Sequence, residues 1–589
     1  MLERRYWEVL TTLAMTTLIL LATQYVAATT ATTYMVMQEQ PVIFRVGWTY
    51  DIDTLNPITF ETDGAGFIIY RIYDGLFGAK PDMTFAPRLV ESWEVSDDRM
   101  TWTFHIRKDA KWHDGEPLTA EDVAFTFNLW SEVWAYSAMH FEETEATDDY
   151  TVVVHTDIPL SVDLMLYYLH TTVILPKHIW ENVDPELFEN YPNTVGNGPF
   201  KVVEWVEGQY ITLEKFDDYY GEKPKVDRII FKYFDSAEGM VRALKNHEID
   251  FALNVPAHAV EDLKGIEGIK ISVLPSMTRR DLGISCYEEG LGHPALRDKW
   301  VRLAMAYAID RQAIVDMIYL GYAIPGDSVI SPAFGDWYNP NLKGIEFNLE
   351  KAAQILEEHG YIDTDGDGIR EDPEGNPLRF RLFMVWSEHP RIAEMLKSWF
   401  NQIGIDIVPE MMDEDTLSAR IYADYDEDDI PDFDFDLFLW GWTGEPDPDM
   451  FLYCETTDSI EEWWSEVGWS NETYDELYEE QLVAASKDER RQIIWKMQEI
   501  LYWENPYIFL CYLKIIDAYW SDWTGFVETP DGLITYAWRD SDMNVHLAAP
   551  PAPPPAPGPG VPMTMIAGGV VALVIVIGVA YAIIRRRGG

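Results

Sequence analysis

Apolar and polar positions recur along this chain with two different periods, and each period predicts its own kind of element. Two-residue alternation, or β-branched and aromatic content, marks 42–46, 101–106, 150–155, 210–215 and 228–233 as strands. Helical periodicity dominates later in the chain. Pro294 opens one helix that reaches about Leu320, because the fixed φ of proline suits a first turn. Asn348 caps another that ends at Gly360, and 390–404 repeats the pattern. Ser486 and Glu489 have capping-box spacing ahead of a helix reaching about Trp503. Strands and helices mixed over 41–547 predict α/β domains.

The two ends of the chain follow other rules. Arg4 and Arg5 precede an apolar stretch from Val9 to Ala22 and the small residues Ala27 and Ala28, the order of a secretory signal, so 1–33 is expected to be an export segment. At the other end 548–560 reads AAPPAPPPAPGPG, an extended spacer in which proline removes donors and fixes φ. No charged residue occurs over 563–584, a length that spans a bilayer core as a helix. Arg585, Arg586 and Arg587 follow in the tail 585–589 and would stay cytoplasmic, which puts the large domain outside. The expected organisation is therefore signal peptide, ectodomain 34–547, linker 548–562 and one C-terminal transmembrane helix in a cell membrane.

Composition narrows the function. The 589 residues are 47% hydrophobic and 14% aromatic, enough apolar material for large cores. The formal net charge of -56 gives an acidic, solvated surface that repels nucleic acid. Cys286, Cys454 and Cys511 are too few and too far apart for a disulfide framework or a metal site. The chain has no GxxxxGKS/T phosphate loop, GxSxG elbow or HExxH pair, so no enzymatic activity is expected, and an ATP-driven motor would be a separate subunit. His113, beside Asp114 and Gly115, reads as a structural turn residue.

Residues 86–128, APRLVESWEVSDDRMTWTFHIRKDAKWHDGEPLTAEDVAFTFN, resemble the signature of family 5 extracellular solute-binding proteins, the dipeptide-, oligopeptide- and nickel-binding group of ABC importers. Further matches follow in order. They are Gly196-Asn197-Gly198-Pro199-Phe200 with Val203-Glu204-Trp205, Ala243-Leu244 with Glu248-Ile249-Asp250, and the AMAYAIDR stretch ending at Arg311. Gly441-Trp442-Thr443-Gly444-Glu445 with Asp447-Pro448-Asp449 is similar to the GWTGDNGDPD loop of dipeptide binders, one residue shorter and with Glu445 in place of Asp. The resemblance implies a two-lobed periplasmic-binding-protein-like fold with a hinge and an extra inserted sub-domain. By that analogy lobe I takes about 41–80, 195–280 and 515–547, the sub-domain about 81–194, and lobe II about 281–514. The hinge falls near 281–285 and 511–517.

The implied function is capture of a dipeptide or oligopeptide for ABC permease and ATPase subunits; an oligosaccharide receptor on the same fold, or a surface adhesion or sensory protein, is the alternative. Candidate ligand residues are Gly441, Trp442, Thr443, Gly444 and Glu445, where two glycines would let a ligand backbone approach and the acid would hold an α-ammonium. Trp386 would add an aromatic wall and Arg391 a fork for a ligand carboxylate. No cofactor is required. Asp363, Asp365 and Asp367, with Gly366 and Glu374, fit the spacing of a calcium loop, although Ile369 sits at position seven and Pro373 blocks an exit helix.

Overall fold

The computed structural model describes Thr16 and residues 41–133, 140–422, 432–535 and 539–548. An eleven-stranded sheet carries the architecture, and two of its strands are far longer than the rest. Ile269–Ile284 and Tyr507–Trp520 pair antiparallel, Ile269 opposite Trp520 and Gly283 opposite Tyr507. The far end of this ladder joins Phe251–Ala252, Ile43–Trp48, Arg228–Tyr233, Tyr210–Lys215 and Phe200–Val206. The near end joins Leu437–Trp442, Arg379–Met384 and Asp406–Met411. The chain buries two apolar cores, the larger of which takes residues from strands at both ends, including Phe44 and Phe231 at the far end and Phe383 and Phe438 at the near end. One core runs from Phe44 to Val545 and the other lies wholly between Leu282 and Leu510. This is the two-lobed α/β arrangement.

The pairing of the two long strands is irregular where the lobes meet. The register shifts between Pro275 and Arg279, opposite Lys514 and Tyr512. Pro275 has no N–H to give to a ladder. Ser276 absorbs the freed groups, donating to Leu513 O at 3.0 Å and accepting from Thr278 N at 3.1 Å.

A separate four-stranded sheet, Val90–Val95, Thr101–Ile106, Thr151–Thr156 and Phe141–Asp148, is inserted beside the first lobe with the helices Ala120–Val133 and Val162–Thr171. Trp102, Phe104, Val152 and Val154 alternate inward, as period-two strands require. Trp112 is fully buried here and Lys111 bridges to Pro117, so the signature segment is a core-and-turn element.

Local signals set most boundaries. Ser486 accepts from Glu489 N and Asn348 accepts from Lys351 N, which starts the helices Lys487–Glu504 and Leu349–Glu358. The helix expected from Pro294 to Leu320 is instead three pieces, Pro294–Arg297, Lys299–Tyr307 and Arg311–Met317. Asp298 and Asp310 each cap a new helix by accepting from Trp300 N and Ala313 N, and such caps break a continuous period.

The expected fold class is corrected in one respect. Among the described residues no helix is long and apolar enough to cross a membrane. Their longest helix, Lys487–Glu504, has 18 residues and is charged along its length, including Lys487, Arg491, Lys496 and Glu499. The stretches 1–33 and 563–584, singled out for export and membrane crossing, lie outside the described residues apart from Thr16.

Asp74 joins three parts of the first lobe. Its carboxylate accepts from Tyr219 Oη at 2.9 Å and Tyr220 Oη at 2.5 Å, and pairs with Arg88 at 3.3 Å and with Arg539. Burial by itself would raise this carboxyl; Arg539 and Arg88 outweigh burial and hold it below the usual range. Asp74→Asn strands buried cations, so a loss of about 3–5 kcal/mol is expected in denaturant unfolding.

Candidate functional site

Between the lobes lies a cavity of about 660 Å³, and the irregular middle of the long strands lines it through Ser276, Thr278, Arg280, Leu513, Lys514 and Ile515. The first lobe adds Tyr50, Asp63, Phe67, Asn254 and Asp531. The second adds Trp386, Glu414, Trp440 and the loop 441–445. Strand alternation explains Arg280. Arg279 and Asp281 face the core, bonded to each other at 2.8 Å, so Arg280 points the other way. Its guanidinium lies 4.1 Å from the Trp386 ring centroid. Trp386 stacks on Trp440 at 5.5 Å and donates to Glu414 at 2.6 Å, so the aromatic wall is held in place.

The structure brings all five residues of 441–445 and Trp386 to the cavity. It places Arg391 elsewhere, exposed on the helix His389–Asn401 and donating to Met317 O at 3.1 Å. Arg280 and Lys514 are the cations at the cavity, and sequence reasoning missed both. The sequence carries no alternation there, since Arg279, Arg280 and Asp281 are all charged; only the strand's pairing separates buried Arg279 and Asp281 from Arg280.

The glycines of the loop answer first to the protein's own packing. A Cβ on Gly441 would lie 2.4 Å from Arg279 O, and one on Gly444 would lie 2.3 Å from the Phe334 ring. Glu445, half-buried, accepts from Tyr167 Oη at 2.6 Å. Burial raises its carboxyl, Tyr167 partly offsets this, and Asp447 adds to the rise. Two residues on, Asp447 makes a bidentate pair with buried Arg490 at 2.5 and 2.7 Å, and Asp449 accepts from Tyr168 Oη at 2.9 Å. The inserted sub-domain thus grips the loop through Tyr167 and Tyr168.

Behind the cavity wall Trp442 donates to Glu466 at 3.1 Å, as Tyr507 does at 2.7 Å. Burial pushes Glu466 up to about 7, with both hydrogen bonds opposing it. Burial pushes Glu455 up to about 8 against the pull of Arg279, and Asp517 up to about 7. His113 is structural. It accepts from Gly196 N at 3.1 Å, donates to Gly198 O at 3.0 Å, and burial lowers its pKa to about 4.

The acidic loop at 363–371 is a separate feature. Oxygens of Asp363, Asp365, Asp367 and Glu371 all lie within 4.8 Å of one another. Glu371 replaces the expected Glu374. Glu371 is buried and accepts from Thr364 N and Oγ1, both at 2.7 Å, whereas Pro373 and Gly375 turn Glu374 out of the group. Gly366 and Gly368, at φ 82° and 93°, supply the left-handed backbone the turn needs.

Residues 84–460 match the description "bacterial extracellular solute-binding proteins, family 5 middle". The chain belongs to that family. Its members are extracellular solute receptors rather than enzymes. The oligopeptide-binding protein AppA of Bacillus subtilis is 30% identical over 483 residues, covering 78% of this chain and 84% of that protein. Its structure with a nonapeptide superposes with a TM-score of 0.73 at 25% identity, covering 86% of this chain and all of that one. NikZ of Campylobacter jejuni, solved with Ni(L-His), gives a TM-score of 0.73 at 23% identity and covers 86% of this family member and all of its own chain, a likeness of fold alone.

For this family 5 protein the buried carboxyls set a pH dependence. Asp517, Glu466 and Glu455 bind protons in the folded state up to about 7 or 8, but in the unfolded state only up to about 4. Stability therefore falls as pH rises from about 5 to about 8. The melting temperature of the ligand-free protein should be higher near pH 5.5 than near pH 8.5, and Glu466→Gln should flatten that slope.

Proposed function

We propose that this chain is the substrate-capturing component of an ABC-type importer and that its ligand is a peptide. The observation that carries the reading is Glu445, a carboxylate at the cavity on a loop fixed by Arg490 and the sub-domain. A peptide's α-ammonium would lose its hydration in the cavity, a burial that is stable only beside such a partner. Arg280 is suited to the ligand's other end, since its guanidinium faces the cavity and offers fork donors to a carboxylate. Trp440 and Trp442 supply flat walls between them. The likeness to an oligopeptide-binding protein supports the same substrate class.

Capture works through closure. The cavity takes residues from both lobes, so a ligand that touches both favours the closed arrangement by its differential affinity. The hinge of that closure is the pair of chain crossings near 281–285 and 511–517, beside the register shift at 275–279. The chain has no phosphate loop, so permease and ATPase subunits are separate partners.

Glu445→Gln keeps the size and removes the charge. Titration calorimetry with a peptide pool should show a loss of roughly 2–5 kcal/mol, and N-acetylated peptides should show a similar loss against the unmutated protein. Affinity should rise with pH until the raised Glu445 carboxyl is ionised, because the ammonium binds only the carboxylate. If oligosaccharides bind, peptides do not, and Glu445→Gln binds them unchanged, the peptide reading is wrong.

The carboxylates at Asp363, Asp365, Asp367 and Glu371 are proposed as a structural calcium site, since alternating carboxylates on a glycine turn suit a hard cation. Chelator should then lower the melting temperature, and Asp365→Asn should remove that sensitivity. A melting curve indifferent to chelator leaves a hydrogen-bonded turn.

A further inference from the structure

The cavity holds a second carboxylate of a different kind. Asp531 sits on the turn 529–532 of the first lobe, lines the cavity and is only 7% exposed. Its Oδ1 is itself buried and has no hydrogen-bond partner among the described residues, while the backbone of Met277 hydrogen-bonds the carboxylate. The turn holds it firmly. Thr529 N donates to Gly532 O at 3.1 Å, Asp531 N donates to Thr529 Oγ1 at 3.2 Å, and Gly532 supplies a φ of 110°. Asp63, on the first turn of the helix Asp63–Ile72, lines the same cavity, and buried Asp517 lies behind. No lysine or arginine pairs with any of the three among the described residues.

We propose that Asp531 and Asp63 form a subsite for the cationic side chain, lysine or arginine, of a bound peptide. The proposal rests on the peptide reading of the site. A carboxylate taken out of water either stays protonated or meets a cation. Burial first, then Asp63 and Asp517 nearby, hold Asp531 well above the usual range against a hydrogen bond from the backbone of Met277, so a positive charge brought beside it would favour its ionised form. Among the described residues the two cations at the cavity are both engaged away from Asp531. Six carboxylates line the cavity against Arg280 and Lys514. Arg280 lies over Trp386 and 3.7 Å from Glu388, and Lys514 reaches Gly321 O at 3.4 Å. A metal ion is the poorer occupant. Among the described residues the acidic and histidine side chains converge tightly enough for one only at 363–371. Tyr50 and Phe67, stacked at 5.7 Å and both on the cavity wall, give the aliphatic stem of a basic side chain an apolar surface. Glu445 is held instead by Tyr167 at 2.6 Å, and Asp531 by the turn 529–532.

The test is calorimetry with pentaalanine carrying a single lysine at each position in turn, each paired with its norleucine counterpart. At least one lysine peptide should bind about tenfold or more tighter than its norleucine partner. Asp531→Asn should erase that preference while pentaalanine itself binds as before. Asp63→Asn, at a more exposed position, should reduce the preference and serves as the second variant if Asp531→Asn melts early. Glu445→Gln should weaken both series alike. If alanine and norleucine peptides bind but lysine gives no advantage at any position, the subsite is wrong and the peptide reading stands. If neither series binds, the peptide reading has failed and the subsite falls with it.

Discussion

The pairing of Ile269–Ile284 with Tyr507–Trp520 is the constraint on which the rest depends. Both lobes hang their sheets from this one ladder, so their backbone is continuous, and the larger apolar core takes residues from both. The ladder is regular at both ends and irregular in the middle. That irregularity turns Ser276, Thr278 and Lys514 toward the space between the lobes instead of into a core. A site made in this way is shared by two bodies from the start. Its ligand affinity and its closure are then one equilibrium.

Electrostatics in this cavity is governed by desolvation more than by ion pairs. The surface is strongly acidic, and exposed carboxylates there are solvated and screened. The same groups behave differently around the cavity. Glu445, Asp531 and Asp517 are all raised mainly by burial, and among the described residues no arginine or lysine offsets it at any of the three. The contrast is Asp447, whose pair with Arg490 is buried and bidentate and anchors the loop that ends at Glu445. One side of the loop is therefore fixed by an ion pair, and the other presents Glu445, which has a hydrogen bond from Tyr167 but no cation partner among the described residues. That arrangement suits a receptor whose ligand brings the missing cation.

The inserted sub-domain has a defined part in this. It carries the signature segment, yet Trp112 is core and His113 is a backbone clasp. Its contribution to the site comes from the helix Val162–Thr171, whose Tyr167 and Tyr168 reach Glu445 and Asp449. Arg99 extends the grip by donating to Val483 O and Ala484 O at 2.7 and 2.8 Å. Nothing in the local sequence around these residues points to the loop they hold, nearly three hundred positions away.

The sequence by itself determined what depends on neighbours along the chain. Strands at 101–106, 210–215 and 228–233, the caps at Asn348 and Ser486, and the loop 441–445 beside Trp386 were all legible, because periodicity, capping and glycine placement act within a few residues. The broken helix after Pro294 was misread since the caps at Asp298 and Asp310 compete with a continuous apolar stripe. Only the tertiary structure decided the rest. Arg280 rather than Arg391 faces the cavity because strand pairing assigns the face. Glu371 rather than Glu374 closes the acidic group because the turn after Asp372 points the later residue away. Asp531, an ordinary turn residue in the sequence, is a buried carboxyl with no cation partner among the described residues because tertiary packing takes it out of water. Burial and facing are properties of packing between distant segments, and no local pattern encodes them.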